Sequence, residues 1–294
     1  MQKILVIVGP TSSGKSALAV ELARKFDGEV ISADSRQVYK GLNIGTGKIS
    51  KREMRGVRHH LLDLESPRKT FTAQDFVEKG RRAIEEIARR KKLPIVAGGT
   101  GFYIEALLGR IALPNVAANA KLRAKLERQS TGELFAMLKK RDPRRAKAID
   151  PHNKRRLIRA LEIAASIGKS PLTARQGLAA YDALWIGCAP PMKELEKKIT
   201  IRLFGRIRGG MVAEAKRLHA CGLSYKRMEE LGLEYRSLAR LLQGKITRGE
   251  MADELNRAIR KYAKRQLTYW KRNKDIRWFK DARATQIQET IRMW

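Results

Sequence analysis

The sequence predicts an α/β protein: a parallel sheet flanked by helices, with an inserted all-helical domain and a helical C-terminal region. Three observations carry this. The apolar run Ile4-Leu5-Val6-Ile7-Val8 passes through a glycine loop into the helix-forming Ala17-Leu18-Ala19-Val20-Glu21-Leu22-Ala23. Short apolar runs then alternate with helical periodicity to about residue 112, the pattern of a parallel sheet. From about 119 to 170 only basic helical periodicity remains, before one more apolar run at 183–189. The expected division is 1–112 for the first part of the core, 113–182 for the insertion and 183–294 for the rest of the core.

The first loop reads Gly9-Pro10-Thr11-Ser12-Ser13-Gly14-Lys15-Ser16, the P-loop spacing, in the strand-to-helix context that a phosphate cradle requires. Gly14 lets the backbone approach an anion, and successive N–H groups curl into a nest. The helix that follows adds its positive N-terminal end, Lys15 adds a full charge and the Ser16 hydroxyl can ligate Mg²⁺. Gly9, Thr11, Ser12, Ser13, Gly14, Lys15 and Ser16 are therefore the phosphate-binding candidates. The motif identifies a polyphosphate site without saying which polyphosphate.

Further along, Glu29-Val30-Ile31-Ser32 reads as a second strand ending in the polar cluster Asp34-Ser35-Arg36-Gln37. Gly41 to Lys48 is a glycine-punctuated loop, and residues 59–64 read as another strand. Thr72 and Asp75 have capping-box spacing ahead of a helix with apolar Phe76, Val77, Ala83, Ile84 and Ile87. Pro94-Ile95-Val96-Ala97 is a buried strand running into Gly98-Gly99-Thr100-Gly101 and a further helix. Ala183 to Ala189 returns to the core, and Thr247 with Glu250 opens the last long helix. Trp270 and Trp278 read as core anchors or stacking platforms, with the core favoured.

The chain carries 63 Lys+Arg against 30 Asp+Glu, a net +33, which calls for a polyanionic partner and favours nucleic acid over a membrane. Two cysteines make neither a disulfide framework nor a metal cluster, and fit a reducing compartment. His59 and His60 have no ligand-spaced cluster beside them and read as structural. No apolar run approaches the roughly 20 residues that span a bilayer, and Met1 leads almost directly into the first strand. A cytoplasmic protein is expected, without membrane contact.

A P-loop alone suggests an NTPase or kinase, yet no apolar run ends in a Walker B aspartate. The loop 9–16, Asp34-Ser35-Arg36-Gln37, Gly45-Thr46-Gly47-Lys48, His59-His60-Leu61-Leu62-Asp63, Gly98-Gly99-Thr100-Gly101, Arg159-Ala160-Leu161-Glu162 and Lys264-Arg265-Gln266 follow one another in an order that resembles the tRNA dimethylallyltransferases. The resemblance runs from the first strand to about Trp270. It implies a bacterial-type enzyme, expected as a monomer. Such an enzyme transfers a dimethylallyl group from dimethylallyl diphosphate to N6 of the adenosine 3′ of the tRNA anticodon, with Mg²⁺.

By the same resemblance, Asp34 matches the base that accepts the N6 proton, Thr100 lies beside the reacting centre, and Lys15 and Arg202 reach the diphosphate. A capping role for Asp34 and a turn-stabilising role for Thr100 stay open at this point. Lys197, Lys198, Arg206 and Arg208 compete with Arg202. Asp34, Ser35, Arg36, Gln37 and Thr100 are implied contacts to the target nucleotide, which must be flipped out of its stack. Arg123, Arg155, Arg156 and Arg159 on the insertion, and Lys264, Arg265 and Gln266 on the last helix, are implied to grip the anticodon stem-loop.

Three segments depart from the family pattern. Gly47 replaces an alanine, which is expected to loosen its loop. Pro151-His152-Asn153 lacks a carboxylate, and Gly232-Leu233-Glu234-Tyr235-Arg236 stands for a Gly-Tyr-Lys/Arg segment. Two other enzymatic readings stand beside the main one: an RNA-stimulated P-loop kinase or NTPase, and an adenylate isopentenyltransferase using free nucleotide. The second needs neither the charge nor the basic insertion. A nucleic-acid-binding protein with a vestigial P-loop is a third.

Overall fold

The computed structural model describes residues 1–168, 181–281 and 285–294. The elements run β1 (Gln2–Val8), α1 (Lys15–Lys25), β2 (Gly28–Ala33), α2 (Lys51–Met54), β3 (His59–His60), α3 (Ala73–Arg89), β4 (Leu93–Gly98) and α4 (Gly101–Leu107). They continue as α5 (Ala120–Glu127), α6 (Thr131–Arg141), α7 (Pro143–Ala148), α8 (Lys154–Ile167), β5 (Tyr181–Cys188), α9 (Met192–Arg208) and α10 (Met211–Ala220). The chain ends with α11 (Tyr225–Leu231), α12 (Leu233–Leu242), α13 (Arg248–Trp270), β6 (Arg277–Phe279) and α14 (Thr285–Met293).

Among the described residues the strands form one sheet, ordered β3-β2-β4-β1-β5-β6, with every neighbouring pair parallel. A parallel sheet is covered on both faces, which is why its strands read as unbroken apolar runs. On one face Leu5, Ile7, Val30, Ile95 and Ile186 pack with Leu18 and Leu22 of α1 and Ile287 and Ile291 of α14. The alternate residues Ile4, Val6, Ile31 and Trp185 are equally buried. The Trp185 ring lies 5.9 Å from that of Trp270, so α13 covers the other face.

The register decides where chemistry can occur. Val8 pairs with both Gly98 and Gly187, and Ala33 pairs with Gly98. β1, β2 and β4 therefore end level, with β5 one residue longer, and the residues that follow the three, Gly9, Asp34 and Gly99, emerge together. This is the C-terminal edge at which open α/β sheets place ligands. Capping boxes fix the starts of α3 at Thr72, α6 at Ser130 and α13 at Thr247.

Two compact units result, Met1–Leu108 with Ala179–Trp294, and Gly109–Leu178. The second has its own core, in which Leu134 and Leu138 of α6 meet Leu157 and Leu161 of α8. The insertion was expected over 113–182, and its residues 169–180 lie outside the described ones.

The C-terminal end differs from expectation. It is not purely helical, because β6 adds an edge strand to β5 and α14 packs under the sheet. Trp270 is fully buried, but Trp278 rides on β6 at 38 % exposure with its ring over Gly187, so it is not a core anchor. The strand expected over 59–64 stops after His60, since Leu61 and Asp63 take φ of +64° and +53°. Among the described residues no helix is long and apolar enough to cross a membrane.

Candidate active site

The loop 9–16 has the backbone of an anion cradle. Gly9 has φ +151°, and a Cβ there would sit 2.4 Å from the Cys188 carbonyl oxygen. Gly14 begins α1 at φ +91°, and Ser12 is also left-handed at +62°. The first N–H groups of α1 have no intrahelical acceptor and open toward any anion held there. Ser13 Oγ is buried without a hydrogen-bond partner among the described residues. Lys15 Nζ donates to the Pro10 carbonyl at 3.0 Å. Burial, and then the nearby Arg202 charge, lower the Lys15 pKa to about 8, against the opposing pull of Asp34.

At the end of β2, Asp34 Oδ1 accepts the backbone N–H groups of Arg36 at 2.8 Å and Gln37 at 3.3 Å. The capping role left open by the sequence is therefore present. It occupies one oxygen only, and no hydrogen bond among the described residues engages Oδ2. Thr100 Oγ1 accepts the Ser35 N–H at 3.1 Å, which leaves its own proton free to donate. The two turns approach this closely because residue 98 is glycine: a Cβ there would meet the Ala33 carbonyl oxygen at 2.1 Å.

Arg202 on α9 donates through Nη2 to the Gly47 carbonyl at 2.7 Å. Burial and then Arg206 lower its pKa. Of the competing cations, Arg206 is instead taken up by the Gly45 carbonyl at 2.7 Å and Glu234 at 3.0 Å. The loop around Gly47 is held tightly, contrary to the expected loosening. Gly47 has φ +59°, and a Cβ would fall 2.4 Å from Arg202 Nη2. Buried Glu214 clamps the same loop, accepting from the N–H groups of Asn43 at 3.0 Å, Ile44 at 2.8 Å and Gly45 at 2.9 Å, and from the Tyr235 hydroxyl at 2.8 Å. Sequence reasoning missed the clamp by Glu214 and the pairing of Arg206 with Glu234, because nothing near them in the chain marks contacts to a loop some 160–170 residues away or between helices 28 residues apart.

Lys15, Asp34, Gln37, Arg202, Tyr262 and Arg265 line one cavity of about 330 Å³. A larger one of about 1120 Å³ lies beside it and shares Ser16 and Arg202. Helix α13 presents Lys264 and Arg265 outward. Gln266 does not join them: its amide is buried, accepting from Thr11 N–H at 2.9 Å and donating to the Gly99 carbonyl at 2.9 Å. An RNA contact by this side chain is corrected to an internal brace.

The helical unit sorts its four arginines in the same way. Arg155 and Arg156 are exposed at the start of α8, where Asn153 Oδ1 caps the Arg156 N–H at 3.2 Å without needing a carboxylate. Arg123 and Arg159 are instead engaged by Glu162, which is 2 % exposed. Burial would raise the Glu162 pKa, but hydrogen bonds from Arg123, the Asn119 N–H and Arg159 overcome it and bring it to about 2. The expected shared RNA-facing set of Arg155 and Arg159 is thus split.

Fold and site together define a class: an α/β protein with a glycine loop shaped as an anion cradle, two cations and a half-free carboxylate at one sheet edge. The IPP transferase family model matches residues 37–273. The tRNA dimethylallyltransferase of Anoxybacillus flavithermus is 38 % identical over 282 residues, covering 95 % of this chain and 90 % of that one. The full-length tRNA isopentenylpyrophosphate transferase from Bacillus halodurans superposes with a TM-score of 0.73 at 35 % identity, covering 100 % of this chain and 94 % of that one. A eukaryotic dimethylallyltransferase solved acting on tRNA gives a TM-score of 0.83 at 28 % identity, covering 99 % and 76 %. The chain belongs to the IPP transferase family.

Proposed function

We propose that this chain transfers a dimethylallyl group from dimethylallyl diphosphate to N6 of the adenosine immediately 3′ of the anticodon in tRNA, releasing diphosphate. The observation that carries the reading is the level ending of β1, β2 and β4, which sets a phosphate cradle beside the open Oδ2 of Asp34. Breaking the allylic C–O bond leaves negative charge on diphosphate. The N–H groups of loop 9–16, Lys15 and Arg202 stabilise it where it forms. The adenine amine is a poor nucleophile, since its lone pair is delocalised. As the C–N bond forms, Asp34 Oδ2 takes the N6 proton. The free proton of Thr100 points a donor at the same centre, and Ser35, Arg36 and Gln37 contact the flipped nucleotide.

Among the described residues no group of three or more His, Cys, Asp or Glu could hold a metal. The Ser16 hydroxyl, a hard oxygen donor on the cavity wall, fits Mg²⁺ held chiefly by the diphosphate. Bound there, the ion would help neutralise the leaving group. Arg155, Arg156, Lys264 and Arg265 supply phosphate contacts to the stem-loop, and a monomer working in the cytoplasm completes the reading.

The test is a comparison of donors with bulk tRNA. Labelled dimethylallyl diphosphate should label the RNA and not free AMP, and tRNA should not stimulate γ-phosphate release from ATP. ATP turnover without labelled RNA would overturn the reading.

A further inference from the structure

We propose that Gln266 is a positioning residue for the diphosphate loop, tying the geometry of residues 9–16 to helix α13. The proposal rests on the reading of that loop as a diphosphate site. The β1–β4 ladder ends at Val8 and Gly98, and the chain on each side then leaves regular structure. Beyond that point the Thr11 N–H and the Gly99 carbonyl have no rung to join them. Gln266 supplies one: Oε1 accepts from Thr11 at 2.9 Å, and Nε2 donates to Gly99 at 2.9 Å. Only a primary amide offers an acceptor and a donor on one side chain of this length, where a carboxylate or a methyl group would leave one or both ends unpaired.

The fit leaves little freedom. A Cβ at Gly99 would stand 2.1 Å from Gln266 Nε2, and one at Gly101 would stand 2.2 Å from Tyr269 Cε1. Tyr269 follows Gln266 by three residues, on the same side of the helix, and its hydroxyl bonds Glu105 of α4. Helix α13 is thus seated on the turn that carries Thr100, while Gln266 reaches past it to the loop that carries Lys15. One side chain sets the spacing between the leaving-group site and the adenosine turn. Arg265, its neighbour in sequence, faces the cavity and solvent, so the helix holding RNA charges outward holds the diphosphate loop inward.

The experiment titrates inorganic diphosphate with Mg²⁺, and separately an anticodon stem-loop RNA, into wild type, Gln266→Ala and Gln266→Met. The methionine variant keeps the buried volume without either hydrogen bond. Both variants should bind diphosphate about thirtyfold more weakly, the worth of two ordinary hydrogen bonds. RNA affinity should stay within about twofold, and kcat should fall more than KM for tRNA rises. Unchanged diphosphate affinity in a folded variant, or loss confined to RNA binding, would overturn the proposal. A wild-type protein that binds no diphosphate would instead remove the reading of the loop on which it rests.

Discussion

Arg123 meets Glu162 with both arms of its guanidinium, at 2.9 and 2.8 Å, inside the helical unit. Arg159 joins the same carboxylate from one turn away on α8. Removing the carboxylate takes the shared acceptor from Arg123, Arg159 and the Asn119 N–H, while both arginines keep partial solvation and Arg159 keeps the Val116 carbonyl, so Glu162→Ala should destabilise this unit by about 1–3 kcal/mol. The acid-side behaviour follows from the same group. Its folded pKa of about 2 lies below the usual 4.5, so the stability it contributes is complete above 4.5 and is lost as pH falls toward 2. Protection factors along α8, taken against the intrinsic exchange rate at each pH, should fall over that window in wild type and much less steeply in Glu162→Gln.

Arg155 and Arg156, exposed and unburdened by Glu162, are the residues to test for binding to RNA phosphates. The double variant Arg155→Ala with Arg156→Ala should raise KM for tRNA, most at high salt, with kcat and melting temperature kept. The slope of log K against log salt should flatten by about 0.7–0.9 for each phosphate no longer neutralised. Arg159→Ala should instead lower the melting temperature. An unchanged salt slope in the double variant would remove this helix from the RNA surface.

Lys15 has a pKa of about 8 before any anion arrives, because burial and Arg202 disfavour its charge. A bound diphosphate favours the charged form and raises the pKa, so binding near pH 8.5 should take up protons. Calorimetry in buffers of different ionisation enthalpy should find greater uptake in wild type than in Lys15→Met. Equal uptake would mean that Lys15 does not face the anion.

Glu214 accepts three backbone N–H groups of the loop that positions Gly47, and Gly47 in turn holds Arg202. Glu214→Ala would orphan those donors at a cost of about 3 kcal/mol. It should also weaken diphosphate binding, because Arg202 loses its anchor. Thermal melting alongside diphosphate titration separates the two effects. A loss of stability with undiminished diphosphate affinity would show that the clamp does not act through Arg202.

What the chain disclosed by itself was local. The first strand, its glycine loop and α1 are contiguous, and the Thr72 and Thr247 capping boxes lie within four residues, so each could be read directly. β6 could not: it is three residues long, two of them exposed, and it becomes a strand only by pairing with β5. The arginine sorting on α8 was hidden for a related reason. Helical spacing puts Arg155 and Arg159 near each other, but Glu162, three residues on and held from α5 by Arg123, claims the second, and only tertiary structure reveals that this carboxylate is buried. Gln266 stands beside two exposed cations, and its partner Thr11 is 255 residues away, so adjacency misassigned it.

The Asp34→Asn variant tests the proposed chemistry most directly. Asparagine keeps an oxygen for the Arg36 and Gln37 N–H groups, so the turn survives, but its amide cannot accept the N6 proton in place of Oδ2. Single-turnover prenylation with both substrates saturating should therefore fall by about 10²–10⁴, the usual worth of a general base, while tRNA and diphosphate affinities change little. A variant that turns over at nearly the wild-type rate would contradict the proposed chemistry and leave Asp34 as a cap alone.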